Sequence, residues 1–120
     1  MRLIYLASPY SHKDPKVSVE RFSATCLAAA HLFNCGFHVF SPIAHCHPIK
    51  VLADIDGSWG FWKNYALNML QRCDELYVLK LDGWTDSIGV ATEAKIASEL
   101  GKPISYMDGE TYEIKPLLPV

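Results

Sequence analysis

The chain has 120 residues, half of them apolar and a fifth charged, which is one domain near the commonest size and long enough to bury a core without staples. Eleven Lys and Arg oppose thirteen Asp and Glu for a formal net charge of −2. Neither sign is gathered into a run, which argues against a surface that coats nucleic acid polymers and against a polybasic membrane anchor.

No apolar run approaches the roughly 20 residues that span a bilayer. After Met1 and Arg2, five apolar residues precede Ser8 and Pro9, too few for a signal-peptide core. A cytoplasmic protein without a membrane segment is expected. Cys26, Cys35, Cys46 and Cys73 form no CxxC pair and are read as reduced thiols, mostly packing residues.

Arg2 to Ala7 is a short apolar run rich in strand formers, stopped by Ser8-Pro9, and reads as a buried strand. From about Pro15 to Asn34 the pattern turns helical. Val19, Phe22, Cys26, Ala29 and Phe33 recur at three- and four-residue steps, with Pro15 suited to the first turn and Gly36 to the stop. Phe37 to Phe40 is a second strand, ended by Ser41-Pro42. Pro42 to Ser58 reads as a long irregular stretch holding His45, His47, Asp54 and Asp56, and ordered loops of that length are usually functional.

Trp62, Tyr65, Ala66, Met69 and Cys73 mark a second helix, and Glu75 to Leu81 a third strand. Asp82-Gly83-Trp84 is turn chemistry. Ser87 to Leu100 is a third helix closed by Gly101 and Pro103, Ile104 to Met107 a fourth strand, and residues 108–120 an extended tail. This alternation predicts a single Rossmann-like or flavodoxin-like α/β domain: an open, mostly parallel sheet of four to five strands with helices on both faces. Right-handed crossovers place the ligand crevice at the carboxyl ends of the strands. The segments that matter are therefore Ser8 to His12, Ser41 to Ile43, and Asp82 to Gly89.

On the third helix, Val90, Ala94, Ala97 and Leu100 define the apolar stripe, and Glu93 projects within the same arc. Burial there raises a carboxyl pKa and the nearby helix N-terminus lowers it. The plain alternative is a Glu that balances the helix start. Upstream, Asp86-Ser87-Ile88-Gly89 puts a hydroxyl and a glycine at a helix N-terminus, which either presents backbone N–H groups to an anion or serves only as an N-cap. Tyr5, inside the first strand, needs a hydroxyl partner if buried, and Glu93 across the strand ends is a candidate.

Tyr5-Leu6-Ala7 and Ser87-Ile88-Gly89-Val90-Ala91-Thr92-Glu93, continued by Ala97 and Gly101-Lys102-Pro103, resemble the nucleoside 2-deoxyribosyltransferase superfamily, which includes deoxynucleoside-monophosphate N-hydrolases. The resemblance covers roughly residues 2 to 107. Leu6 to His12, Phe40 to Ile43 with His47-Pro48-Ile49, and Gly83 to Gly89 are similar to an uncharacterised branch of it found in short bacterial and phage proteins. The resemblance implies a nucleophilic or charge-stabilising carboxylate at Glu93 and a tyrosine at Tyr5 that hydrogen-bonds it. It also implies Ser87 and Gly89 as holders of a 5′-phosphate. Where the superfamily usually carries an Asp on the helix before the third strand, this sequence has Ala66, flanked by Asn64 and Asn68, with Asp54, Asp56 and His47 as possible substitutes from the preceding stretch.

Such a site cleaves or transfers the N-glycosidic bond of a nucleoside or nucleoside monophosphate. A carboxylate stabilises the charge that builds on the sugar, or bonds to its anomeric carbon, while a second group protonates the departing base. His47, Asp56 and Asp86 are the candidates for that acid. Trp84 and Tyr10 are candidate rings to sandwich the base, and Ser8 lies beside them after the first strand. No cofactor and no metal is expected. A zinc site from His45, Cys46 and His47 with His38 or His12 lacks the usual pair-and-gap spacing. The competing class is a nucleotide-binding or sensing module without turnover. The resemblance also implies a homodimer or larger homo-oligomer in which the C-terminal segment completes a neighbour's pocket, and Trp59, Phe61 and Trp62, more apolar than one helix face needs, are candidate interface residues.

Overall fold

A computed structural model describes residues 2–55 and 58–117. Strands β1 (Leu3–Ala7), β2 (His38–Phe40), β3 (Glu75–Lys80), β4 (Ile104–Asp108) and β5 (Ile114–Pro116) form one sheet in the order β2-β1-β3-β4-β5. The sheet is parallel from β2 through β4, with Tyr5 level with both Phe40 and Leu76, and β5 is antiparallel to β4 with Met107 opposite Ile114. The segment read as an extended tail thus contributes an edge strand.

Helices α1 (Pro15–Asn34), α2 (Pro42–Ala53), α3 (Trp59–Arg72) and α4 (Ile88–Glu99) complete the described fold, with a single 3-10 turn at Trp84–Asp86 before α4. Alternate residues of each central strand serve opposite layers. Ile4, Leu6, Tyr77 and Leu79 pack on Ala28, Ala29 and Leu32 of α1, while Tyr5, Ala7, Leu76 and Val78 pack on Leu70 of α3 and on Val90 and Ala97 of α4. The chain leaves β1 toward β2 on one side and continues from β3 to β4 on the other. The crevice outside the carboxyl ends of β1 and β3 is the position where open α/β sheets hold their ligands.

Two expectations need correction. The stretch from Pro42 to Ser58 is not irregular: α2 occupies Pro42–Ala53. Ser41 caps it, its hydroxyl accepting the Ala44 N–H at 3.1 Å, Pro42 sits in the first turn, and Asp54 closes it in the left-handed region at φ 53°. Pro48 lies inside this helix and its apolar residues follow no clear period, so two ordinary helix signals are absent. On α1 the buried face is Ser18, Thr25, Ala28, Ala29 and Leu32, whereas Val19 and Phe33 of the expected stripe are exposed. Small residues let the helix approach the sheet closely, and a stripe drawn through the largest side chains misses that face.

The loops at the carboxyl end are tied together by Arg21 of α1. Its guanidinium donates to the carbonyls of Ser11 at 3.0 Å and Asp82 at 3.1 Å, linking the segment after β1 to the segment after β3. Gly83 is required beside it, because φ is 87° and a Cβ there would stand 2.5 Å from the Arg21 Nη2 atom.

Candidate active site

A cavity of about 420 Å³ opens between the carboxyl ends of the strands and the helices α2, α3 and α4. That is within the usual size range of small-molecule sites. Its floor is set by Glu93. Ser87 caps α4 by accepting the Val90 N–H at 3.2 Å, which fixes the helix so that position 93 turns toward the sheet. Glu93 is 4% exposed, and the Tyr5 hydroxyl donates to its Oε2 from β1. Burial pushes the Glu93 carboxyl up to about 8, the Tyr5 hydrogen bond pulling it only partly back. The Tyr5 hydroxyl is itself pushed far above its usual range, by burial first and the neighbouring carboxylate second. Glu93 is the first of the pair to ionise as pH rises, in an environment that strengthens any charge forming beside it.

The wall opposite comes from the segment after β1 and from α2. Ser8 is buried and its hydroxyl accepts from Thr25 Oγ1 at 3.1 Å, which holds the turn out of β1. Tyr10 Oη lies 2.5 Å from His47 Nδ1 and accepts from Lys50 Nζ at 3.3 Å. The His47 ring is stacked on Phe22 of α1, with centroids 4.2 Å apart and planes at 25°. Burial, and then the Lys50 charge, hold the His47 pKa below the usual imidazole value. Aromatic wall comes from Trp59, Trp62 and Tyr65 of α3, and small or apolar wall from Pro42, Ile43 and Ala66. Ile88 and Gly89 line the cavity at the start of α4, together with Asp86 and Ser87.

Of the residues singled out in the sequence, Ser8, Tyr10, His47, Asp86, Ser87, Gly89 and Glu93 line this cavity, and Tyr5 reaches it through Glu93. Asp56 lies outside the described residues. Trp84 does not line the cavity: its ring packs against Tyr106 of β4 with centroids 5.6 Å apart, because the turn that carries it lies over the far side of β3. Trp59 and Trp62, read as interface residues, line the cavity and supply its indoles. Lys50 also lines the cavity and has no place in the sequence reading, because the helix that carries it is not recognisable there; Cys46 and Tyr65, read as a packing thiol and a helix-stripe residue, line it as well. Among the described residues no group of three His, Cys, Asp or Glu side chains could hold a metal. His12 accepts the Asp14 N–H at 2.9 Å, and His45 packs on Tyr65.

No match is found among curated proteins. Among solved structures the chain is similar to the 2-deoxyribosyltransferase of the psychrotolerant bacterium Bacillus psychrosaccharolyticus. Identity is 25%, coverage is 94% of this chain and 77% of that one, and the TM-score is 0.60. The fold is thus that of a nucleoside 2-deoxyribosyltransferase-like protein. No helix among the described residues is long and apolar enough to cross a membrane. Residues 2–109, which include every strand that frames the cavity, match one family throughout, and the chain belongs to it: the family described as Domain of unknown function (DUF1937).

Proposed function

We propose that this protein cleaves or transfers the N-glycosidic bond of a nucleoside, or of a nucleoside 5′-monophosphate, with Glu93 as the carboxylate that meets the anomeric carbon. The observation that carries this reading is a buried glutamate on the floor of a nucleoside-sized cavity, hydrogen-bonded by a tyrosine, in a chain whose fold matches a 2-deoxyribosyltransferase. Nothing in ordinary packing calls for a carboxyl at that position.

The chemistry follows from the geometry. As the C1′–N bond lengthens, its electron pair leaves with the base and positive charge builds on the sugar. The Glu93 carboxylate stabilises that charge and bonds to C1′, while the hydrogen bond from the Tyr5 hydroxyl steadies the negative charge the carboxylate holds before attack. Water then hydrolyses the glycosyl ester, or a second base takes the sugar. The aromatic wall of Trp59, Trp62 and Tyr65 suits the faces of a base. The Ile88 and Gly89 amides and the Ser87 hydroxyl at the start of α4 suit the 5′ end of the sugar or its phosphate. The nucleophile is the ionised form, so kcat/KM rises with pH toward about 8. A reducing compartment suits Cys26, Cys35, Cys46 and Cys73, all unpaired, and we place the protein in the cytoplasm as a homo-oligomer.

A second reading has one observation in its favour. Ala66, buried in the cavity wall, offers no carboxylate where the superfamily usually carries one, which fits a module that binds nucleotides without turning them over. The deciding experiment measures free-base release from deoxynucleosides and their 5′-monophosphates, with and without an acceptor base, beside Glu93→Ala. Release that disappears in the variant is the expected result, and dependence on acceptor separates transfer from hydrolysis. Nucleotide binding with no release from any substrate favours the binding module.

A further inference from the structure

Breaking an N-glycosidic bond leaves an electron pair on the base, and rate depends on how that charge is met. Glu93 cannot serve at both ends of the bond. Asp86 is exposed on the rim, whereas the opposite wall holds a connected set of three groups from two elements: Tyr10 Oη is 2.5 Å from His47 Nδ1 and 3.3 Å from Lys50 Nζ. The Lys50 nitrogen also stands 5.1 Å above the centre of the Tyr10 ring. Phe22, stacked on His47, holds the imidazole in one orientation.

From this arrangement we infer that His47 is the group that protonates the departing base, and that Tyr10 and Lys50 form a relay supplying its proton. The inference rests on the N-glycosidic reading above. Lysine only donates, so the Tyr10 oxygen accepts from Lys50, and in the relay its own hydrogen goes to His47 Nδ1. Nδ1 as acceptor leaves the hydrogen of a neutral imidazole on Nε2. Burial and the Lys50 charge both favour that neutral form. A neutral imidazole donor suits a base that departs with negative charge.

The step balances. The C1′–N bond breaks with its electron pair on the base, and a Glu93 oxygen bonds to C1′. The base takes the Nε2 proton, Nδ1 takes the Tyr10 proton, and the Tyr10 oxygen takes one from the Lys50 ammonium. The base is then neutral, His47 has exchanged its tautomer, Tyr10 is restored and Lys50 is an amine. In the second half, water attacks C1′ and gives a proton to Nε2, the Glu93 carboxylate leaves, and the relay runs backward to recharge Lys50. An acceptor base with a ring N–H returns the proton in the same way.

The test uses leaving groups that need a proton to different degrees: 2′-deoxyuridines with 5-methyl, 5-fluoro or 5-nitro substituents, and 2′-deoxyguanosine beside its 7-methyl cation. In the wild-type protein, release depends weakly on base acidity. In His47→Gln it falls by about 10²-fold or more for the least acidic base, and by far less for the 5-nitro and 7-methyl substrates, so the dependence becomes steep. Tyr10→Phe, which keeps the ring in place, lowers kcat in the same graded way with KM nearly unchanged. An equal loss on every substrate, or none, overturns the assignment to His47, and unchanged kcat in Tyr10→Phe overturns the relay. The N-glycosidic reading fails separately, and this inference with it, if the wild-type protein releases no base from any of these substrates.

Discussion

Two glutamates are buried to the same degree at opposite ends of the sheet, each 4% exposed. Glu75, at the amino end of β3, forms an ion pair with the exposed guanidinium of Arg2. Glu93, at the carboxyl end, receives a hydrogen bond from a neutral tyrosine, and no ion pair to it occurs among the described residues. The first arrangement sets a cation against the carboxylate, which offsets its desolvation. The second holds a carboxyl whose proton is retained up to about 8, facing a cavity. Equal burial therefore has different meanings, set by what the carboxyl meets: a cation at the amino end, a cavity and a phenol at the carboxyl end.

Glutamine at each position breaks that comparison most sharply. Glu93→Gln keeps the shape and still accepts from Tyr5, and its rate of base release falls by about 10³-fold or more. Glu75→Gln leaves the rate within a few-fold. Equal losses of activity at the two sites would remove the functional distinction.

The pH dependence of stability provides the next contrast. Glu93 keeps its proton to about 8 in the folded protein against an ordinary value of 4.5, so between those values the native state binds more protons than the unfolded chain. Stability conferred by this group is thus full below about 4.5 and is lost as pH rises toward 8, with a slope of at most about 1.4 kcal/mol per pH unit. Urea unfolding of wild type against Glu93→Gln across that range reads the slope directly. A flat difference would mean the carboxyl is ionised throughout.

Tyr5→Phe sharpens the same point. Its hydroxyl lowers the Glu93 pKa, so its removal moves the alkaline rise of kcat/KM further upward and reduces activity near neutrality by about tenfold. Rates measured from pH 5 to 10 show whether the profile shifts or only scales. The smallest effect is expected from Arg2→Met, which removes the cation from Glu75 and costs about 1 kcal/mol in unfolding free energy, limited because Arg2 is exposed, while activity is unchanged.

Much of the frame was legible in the order of apolar runs and their stops. Leu3 to Ala7 ended by Ser8-Pro9, and Glu75 to Lys80 ended by Asp82-Gly83, are buried parallel strands whose pattern needs no tertiary knowledge to read. Glu93 was visible for a related reason: a charged residue inside an apolar helical arc contradicts its surroundings, and such a contradiction survives in sequence. Helix α2 was not visible. Its histidines, cysteine and internal Pro48 mimic a loop, and with it went Lys50. Trp84 was misplaced for the opposite reason, since an aromatic residue beside a crevice segment carries no mark of which way the turn aims its ring.

The sequence by itself determined the alternation of strands and helices, the end of the sheet where the site lies, and the one carboxyl out of keeping with its stripe. These are local properties, set by backbone preference and side-chain periodicity over a few residues. The protonation of that carboxyl and the Tyr10, His47 and Lys50 cluster were decided by tertiary structure alone. Tyr5 meets Glu93 across 88 residues and Tyr10 meets His47 across 37. Desolvation and hydrogen-bond distance depend on what packing brings together, and packing is a property of the folded chain rather than of any segment in it.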